Sequence, residues 1–304
     1  MDRFVLTILG CSSATPTTRH RPTAQHVLLR SRHFLIDCGE GTQIELRRRK
    51  VKFSRIDRIL ISHLHGDHFF GLIGLISSFH MLERQRTLHI HAPEGLEKLI
   101  RLQLRLSNTW LRFPLQFHPL RFDVPEWIFE DEVVRIQSLP LRHSVLCCGF
   151  VLEEKPLPRK MNPEALQRYG VPGCDVHRLR KGEDWVSPSG ERIPNATLTL
   201  DPRPAVRYAF CTDTAYLPEL AHWVQGVDLL YHESTFLKSE EALAHKTFHA
   251  TAEQAAHIAH SAGVGRLLLG HYSVRYEDRS AFLDEARPIF PNTLLAEDGL
   301  VVEG

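Results

Sequence analysis

His63-Leu64-His65-Gly66-Asp67-His68 places four side chains able to bind metal within six consecutive positions. The run before it, Arg58-Ile59-Leu60-Ile61-Ser62, reads as a buried strand, and the apolar run from Phe69 to Phe79 reads as a helix. A strand that opens into a loop of imidazoles and a carboxylate is a place to hold metal. Two groups of ligands this close suggest two ions, and paired ions suggest hydrolysis of a phosphate ester or a similar bond. A lone histidine after a strand is usually a surface residue, and 19 histidines in 304 residues make enrichment a weak argument. The spacing carries the inference.

Further candidates sit at the ends of other apolar runs. Ser138-Leu139-Pro140-Leu141-Arg142-His143 precedes a strand at Val145. Tyr208-Ala209-Phe210-Cys211-Thr212-Asp213 is a strand ending in an acid, and Leu267-Leu268-Leu269-Gly270-His271 is one ending in a histidine. Strand ends on one edge of a sheet converge, so these residues can meet the opening motif. In the arrangement this suggests, His63, His65 and His143 hold one ion and Asp67, His68 and His271 the other. Asp213 bridges them, because a carboxylate has two oxygens. Neutral imidazoles and carboxylates suit zinc and tolerate manganese.

Composition bounds the rest. At 304 residues, with 43% apolar and 24% charged residues, the chain has room for one large α/β domain or two modest ones. The first residues, Met1-Asp2-Arg3-Phe4-Val5-Leu6, lack the pattern of a secretory signal. No apolar run approaches the roughly 20 residues that span a bilayer, so no membrane partner is expected. A net charge of +1 leaves no overall footprint of a nucleic-acid binder. Local basic stretches such as Arg47-Arg48-Arg49-Lys50 read individually as solvated helix faces. The six cysteines form no CxxC pair, which suits reduced, mostly buried thiols in a cytoplasmic protein. Cys147-Cys148 reads as part of a strand.

Short strand patterns recur over Phe4–Leu9, His26–Leu29, Phe34–Ile36, Leu88–His91, Val133–Ser138, Val145–Leu152, Arg207–Cys211, Asp228–Tyr231, Leu267–Gly270 and Leu300–Val302. Helical patterns lie at Gln43–Arg49, Gly71–Leu82, Pro93–Leu106, Pro218–Val224, Ala252–Ala262 and Glu277–Ile289. The Ala252 helix has Thr251 as its N-cap and ends at Gly263. This mixture predicts one layered α/β domain. The stretch from Glu153 to Pro204 departs from it, with many charges and prolines and no clear core strand. It reads as an inserted arm projecting from the domain.

In order along the chain, the motifs resemble those of the ribonuclease Z (tRNase Z) family of the metallo-β-lactamase superfamily. Leu9-Gly10-Cys11-Ser12-Ser13-Ala14-Thr15-Pro16-Thr17 is similar to its opening glycine loop. Phe34-Leu35-Ile36-Asp37-Cys38-Gly39-Glu40-Gly41-Thr42-Gln43 is similar to its second motif, with Asp37 as a buttress for the metal-site histidines. His63 to His68 is the superfamily signature. His232-Glu233-Ser234-Thr235-Phe236 and Phe248-His249-Ala250-Thr251-Ala252 resemble two motifs of the tRNA-processing branch, and Gly270-His271-Tyr272-Ser273-Val274-Arg275-Tyr276 resembles the last ligand motif.

The resemblance implies a single metallo-β-lactamase-like hydrolase domain over residues 1–304, a four-layer αββα sandwich with an arm inserted at about 153–204. It implies two Zn²⁺ per subunit, with Mn²⁺ as an alternative. The implied activity is an endonuclease that cuts precursor tRNA after the discriminator nucleotide and leaves a 3′-hydroxyl for CCA addition. Asp67 would also act as general base, and Glu233 with His249 would pass a proton to the leaving oxygen. A homodimer is implied, one subunit's arm serving its partner's active site. The arm departs from the family pattern. Gly170-Val171-Pro172-Gly173-Cys174-Asp175-Val176 contains glycine and proline without the usual Gly-Pro dipeptide. Two competing readings are another dinuclear phosphodiesterase or arylsulfatase on the same scaffold, and an RNA-binding protein with a degenerate site. The complete ligand set argues against the second.

Overall fold

The structure, a computed structural model, describes residues 4–304. Two seven-stranded sheets form its frame. The first contains β1 (Val5–Gly10), β2 (Ala24–Leu29), β3 (Arg32–Ile36), β4 (Ile56–Leu60), β5 (Leu88–Ala92) and β6 (Leu115–Pro119). The second contains β7 (Glu126–Glu130), β8 (Val134–Leu141), β9 (Cys147–Glu154), β10 (Arg207–Cys211), β11 (Leu229–Glu233), β12 (Arg266–Gly270) and β13 (Thr293–Leu295). The last strand, β14 (Val301–Glu303), returns to pair antiparallel with β1. The orders are β14-β1-β2-β3-β4-β5-β6 and β13-β12-β11-β10-β9-β8-β7.

The sequence pattern explains the layering. In β3, Phe34 and Ile36 join the core shared with the second sheet, whereas Leu35 joins the core under the helices. Such double-sided burial is what a strand covered on both faces requires. The outer helices of the first sheet include α1 (Thr42–Arg48), α2 (Gly66–Phe69), α3 (Leu72–Met81) and α4 (Leu96–Leu106). α3 buries Leu72, Leu75, Ile76 and Phe79 at helical spacing. On the second sheet lie α5 (Leu220–Trp223), α6 (Glu241–Thr247), α7 (Ala252–Ala262) and α8 (Ser280–Ala286). α7 opens with a capping box between Thr251 and Gln254 and ends at Gly263 in the left-handed conformation. Its run of alanines lets it pack closely on β11 and β12. The result is the metallo-β-lactamase fold, two sheets face to face between two helical layers. Phe150 and Phe210 are fully buried between them, and truncating either to alanine would cost about 3–5 kcal/mol.

Parallel pairing sets the direction of the strand ends that matter. β3, β4 and β5 run parallel, as do β10, β11 and β12. The ends of each trio therefore open on one edge of their sheet.

Three features differ from the sequence expectation. The apolar run after His68 is two helices, interrupted at Phe70 and Gly71. A Cβ on Gly71 would lie 2.1 Å from the Gly39 carbonyl oxygen, so the chain turns there against β3's exit loop. Strands β6, β7 and β13 form without a clear apolar run. Finally, residues Lys155–Ala205 constitute a second compact unit with a core of their own. Leu179, Trp185, Ile193 and Leu198 are buried there. Asn195 acts as its polar centre, donating to the Leu179 and Glu183 carbonyls at 2.8 and 2.7 Å. All six cysteines are free thiols, and only Cys174 is exposed. Among the described residues no helix is long and apolar enough to cross a membrane.

Candidate metal centre

His63 and His68 of the opening motif are fixed by the loop that leaves β3. Asp37, buried and at φ 54°, accepts from the Ser62 amide at 2.8 Å, the Ser62 hydroxyl at 2.9 Å and His68 Nδ1 at 2.7 Å. The Ser62 oxygen also lies 3.0 Å from His63 Nδ1. Gly39 allows this loop to sit against the Asp67 carbonyl, which a Cβ would approach to 2.4 Å. These contacts leave Nε2 of both His63 and His68 directed into one space.

The second sheet supplies the facing side. Asp213 follows β10 and His271 follows β12, both with positive φ, at 41° and 61°. Such backbone in non-glycine residues concentrates at functional sites. Asp213 Oδ2 lies 2.8 Å from His68 Nε2 and 3.6 Å from His63 Nε2, while its Oδ1 lies 3.1 Å from His271 Nε2. One carboxylate thus addresses both groups of histidines. His271 Nδ1 is held by the Thr235 hydroxyl at 2.9 Å. Asp67 Oδ2 accepts from the Ala14 amide at 2.8 Å and stands 3.4 Å from His68 Nε2. His143 donates from Nδ1 to the Phe248 carbonyl at 3.0 Å, and its Nε2 meets His65 Nδ1 at 3.2 Å.

All seven candidate ligands are therefore assembled at one place. Ligand atoms of His63, His65 and His143 lie within 4.8 Å of one another, as do those of His63, His68 and Asp213, and those of Asp67, His68 and His271. Nε2 of His63, His68 and His271 is buried without a hydrogen-bond partner among the described residues. A buried polar atom left unpaired is costly. Three of them converging on carboxylate oxygens fit divalent cations, and the donor set is one that zinc and manganese accept.

Glu233 and His249 form an adjacent pair. Glu233 ends β11 fully buried, accepting from the Thr214 amide at 2.8 Å, the Thr235 amide at 3.0 Å and the Thr235 hydroxyl at 2.7 Å. Its Oε1 also holds His249 Nδ1 at 2.8 Å. His249 retains 15% side-chain exposure and lies 3.5 Å from Asp213 Oδ1.

Electrostatics follow from burial and from these partners. Burial pulls His249 down, but Glu233 and Asp213 overcome it and raise it to about 9. Burial likewise opposes protonation of His68, which Asp213 and Asp37 hold well above its ordinary value. His63 is held well below, by burial and then by His68. Burial works against the Asp67 carboxylate, yet His68 and His271 keep it below the usual range.

Sequence reasoning missed several partners. Thr235 joins Glu233, His249 and His271, and it lies inside a motif noted only for its acid. Ser62 and the Ala14 amide had no signal beyond proximity to a motif. The Phe248 carbonyl belongs to a quoted motif, but a backbone acceptor is not marked by residue type. His232 is buried and bonded to the Glu233 carbonyl at 2.7 Å, outside the ligand groups.

A family model described as a β-lactamase superfamily domain matches residues 171–272, and one described as anti-Pycsar protein Apyc1 matches residues 4–113. Ribonuclease Z of Bacteroides thetaiotaomicron is 48% identical over 302 residues, covering 99% of this chain and 96% of that protein. Ribonuclease Z of Porphyromonas gingivalis is 42% identical over 303 residues, covering all of both. Among solved structures, the short form of human tRNase Z superposes with a TM-score of 0.72 at 24% identity, covering 98% of each chain. YhfI of Bacillus subtilis, a metallo-β-lactamase fold protein, gives 0.71 at 19% identity with full coverage of both. These two establish the fold, and identity approaching one residue in two along nearly the whole length establishes more: the chain belongs to the ribonuclease Z family.

Proposed function

We propose that this protein is a zinc-dependent endoribonuclease that hydrolyses precursor tRNA after the discriminator nucleotide, releasing the 3′ trailer. The observation that carries the reading is Asp213, which stands within 3.6 Å of His63 from one ligand set and within 3.1 Å of His68 and His271 from the other. His63, His65 and His143 would hold one Zn²⁺, Asp67, His68 and His271 a second, and Asp213 would bridge them. Manganese is the alternative. Bound there, the ions would polarise the scissile phosphate and lower the pKa of the attacking water.

The remaining work falls to the chain's own groups. Asp67, oriented by the Ala14 amide, accepts the proton of the attacking water. His249, anchored at Nδ1 by Glu233, offers Nε2 to the leaving oxygen. As the P–O bond to the discriminator's 3′ oxygen breaks, His249 donates a proton to it. The products are a tRNA 3′-hydroxyl and a trailer with a 5′-phosphate. Thr235 keeps Glu233 and His249 in register through its hydroxyl.

The Lys155–Ala205 unit is read as the arm inserted in this hydrolase domain, acting on RNA across a homodimer. Several of its basic groups are engaged internally, Arg178 with Glu183 at 2.8 Å and Arg192 with Asp184 at 2.7 Å. Light scattering of the purified protein tests the dimer, and a monomer would remove that part of the reading.

One assay tests the activity. The purified protein, supplied with zinc or manganese, is incubated with a precursor tRNA bearing a 3′ trailer. Cleavage after the discriminator is expected. Turnover of small phosphodiesters with the precursor left intact would replace this reading with a small-molecule phosphodiesterase.

A further inference from the structure

The apolar core between the two sheets is interrupted at one corner by charge. On β4, Arg58 stands on the same inner face as Leu60, which belongs to the shared core. Its guanidinium lies over the Phe129 ring of β7, 3.7 Å from the centroid. Its Nη1 is 3.1 Å from His91 Nε2 of β5. Neighbouring inner-face positions of β5 and β6 carry His89 and His118, 3.0 Å apart through Nδ1 and Nε2. A basic and imidazole cluster replaces the leucines and phenylalanines that fill this layer elsewhere.

The cluster borders a half-open cavity of about 400 Å³, lined by Arg32, His33, Arg58, Arg86, His89 and Phe129. That volume lies within the range of small-molecule sites. Two carboxylates also line it, and both are engaged. Asp131 accepts from Arg32 Nε at 2.8 Å. Asp57 is shared between Arg86 and Arg84, the latter at 3.1 Å. Among the described residues Arg58 has no carboxylate within ion-pair distance. Half-buried, it keeps most of its five donors for something else, while burial works against its charge. A cation held in this way is completed by an anion. Arginine's planar fork, with two more arginines at the rim, matches the oxygens of a phosphate.

The cavity lies at the opposite end of β4 from the metal centre. Arg58 precedes His63 by five residues, about 16 Å of extended chain. No step of the proposed reaction uses it.

We propose that this cleft is a second binding site, for a small phosphate-bearing ligand such as a free diphosphate or a mononucleotide, held by Arg58 with Arg32 and Arg86. Phe34 is buried and Phe129 is already covered by Arg58, so the phosphate rather than a stacked base supplies the recognition. A cleft walled by two sheets suits a compact anion better than a continuous polynucleotide backbone.

Calorimetric titration of the full-length, metal-loaded protein tests this with three probes: inorganic diphosphate, adenosine 5′-monophosphate and a short single-stranded RNA. Saturable binding of diphosphate or the mononucleotide is expected, and stronger binding of one identifies the source of the phosphate. Arg58→Gln should weaken it about tenfold or more, the worth of a charge-assisted hydrogen bond. Arg86→Gln, at an exposed position, should weaken it with the fold undisturbed, so misfolding of the Arg58 variant leaves the test intact. His65→Ala should bind the same probe as tightly as the wild type. Absence of saturable binding, loss in His65→Ala with retention in both arginine variants, or Arg58-dependent binding of the RNA alone would each overturn the assignment.

Discussion

His143 Nδ1 donates to the backbone carbonyl of Phe248 at 3.0 Å, and Phe248 is held in the left-handed conformation at φ 58°. This bond turns Nε2 of His143 toward His65 and fixes its tautomer. Phe248 is followed directly by His249, which Glu233 anchors from the other side. One strained residue at the end of α6 therefore orients a candidate ligand and presents the candidate proton donor. Glycine accepts φ 58° without penalty, whereas proline cannot adopt it. Phe248→Gly should keep its metal complement and most of its activity. Phe248→Pro should lose both, measured as metal stoichiometry by atomic emission and as precursor cleavage. Equal behaviour of the two variants would detach the backbone conformation from the site.

The proposed ligand set predicts an ordered response to metal removal. Chelation should abolish cleavage, and zinc or manganese should restore it. His65→Ala should bind less metal and fail to cleave. Asp37→Asn should fold but bind zinc about 10–100-fold more weakly, the usual consequence of losing a ligand's buttress. Competition with a chromophoric chelator measures this. Full cleavage by metal-depleted protein would refute the metal mechanism.

In the proposed mechanism His249, anchored at Nδ1 by Glu233, donates a proton from Nε2 rather than holding an ion. His249→Ala should therefore retain its metals and lose about 10²–10⁴-fold in the chemical step. Glu233→Gln should fall in the same direction. Single-turnover cleavage under saturating enzyme isolates that step. An unchanged rate in His249→Ala would remove the residue from the reaction.

The legibility of these features in the sequence follows from burial. Strands covered on both faces, such as β11 and β12, contain short apolar runs (Leu229–Tyr231 and Leu267–Leu269), and the residues that close them are readable as strand-end groups that converge. Edge strands escape this reading. β6 and β7 alternate exposed and half-buried residues without a strong period, so pairing with β5 and β8 decides their conformation. The 155–205 unit hides its core because four buried apolar residues are scattered through a polar stretch. Contacts made by backbone atoms, such as the Phe248 carbonyl, depend on conformation rather than residue type and leave no trace in the pattern. Thr235 is intermediate. Its motif is visible and its bond to Glu233 is local, but its bond to His271 arises only when β11 and β12 lie side by side, and its bond to His249 only when the segment before α7 packs against them.

Stability should depend on pH through histidines away from the metal centre. His26, whose Nε2 lies 3.0 Å from His33 Nδ1, is pulled down to about 3 by burial and then by His33. His91 is pulled down to about 3 by burial, then by His118 and Arg58. A folded-state pKa below the unfolded value means that the unfolded chain binds more protons as pH falls. The stability these neutral histidines allow is thus complete above about pH 6.5 and is lost as pH falls from there toward 3. Each contributes a slope on the order of 1 kcal/mol per pH unit across that window. Metal binding is itself pH-dependent, because ligands must be deprotonated, so the informative quantity is a difference between proteins with equal metal content. His26→Gln, which does not touch the centre, should flatten the fall in denaturant midpoint between pH 6.5 and pH 5 relative to wild type. Parallel wild-type and variant curves would show that His26 is not a source of the acid sensitivity.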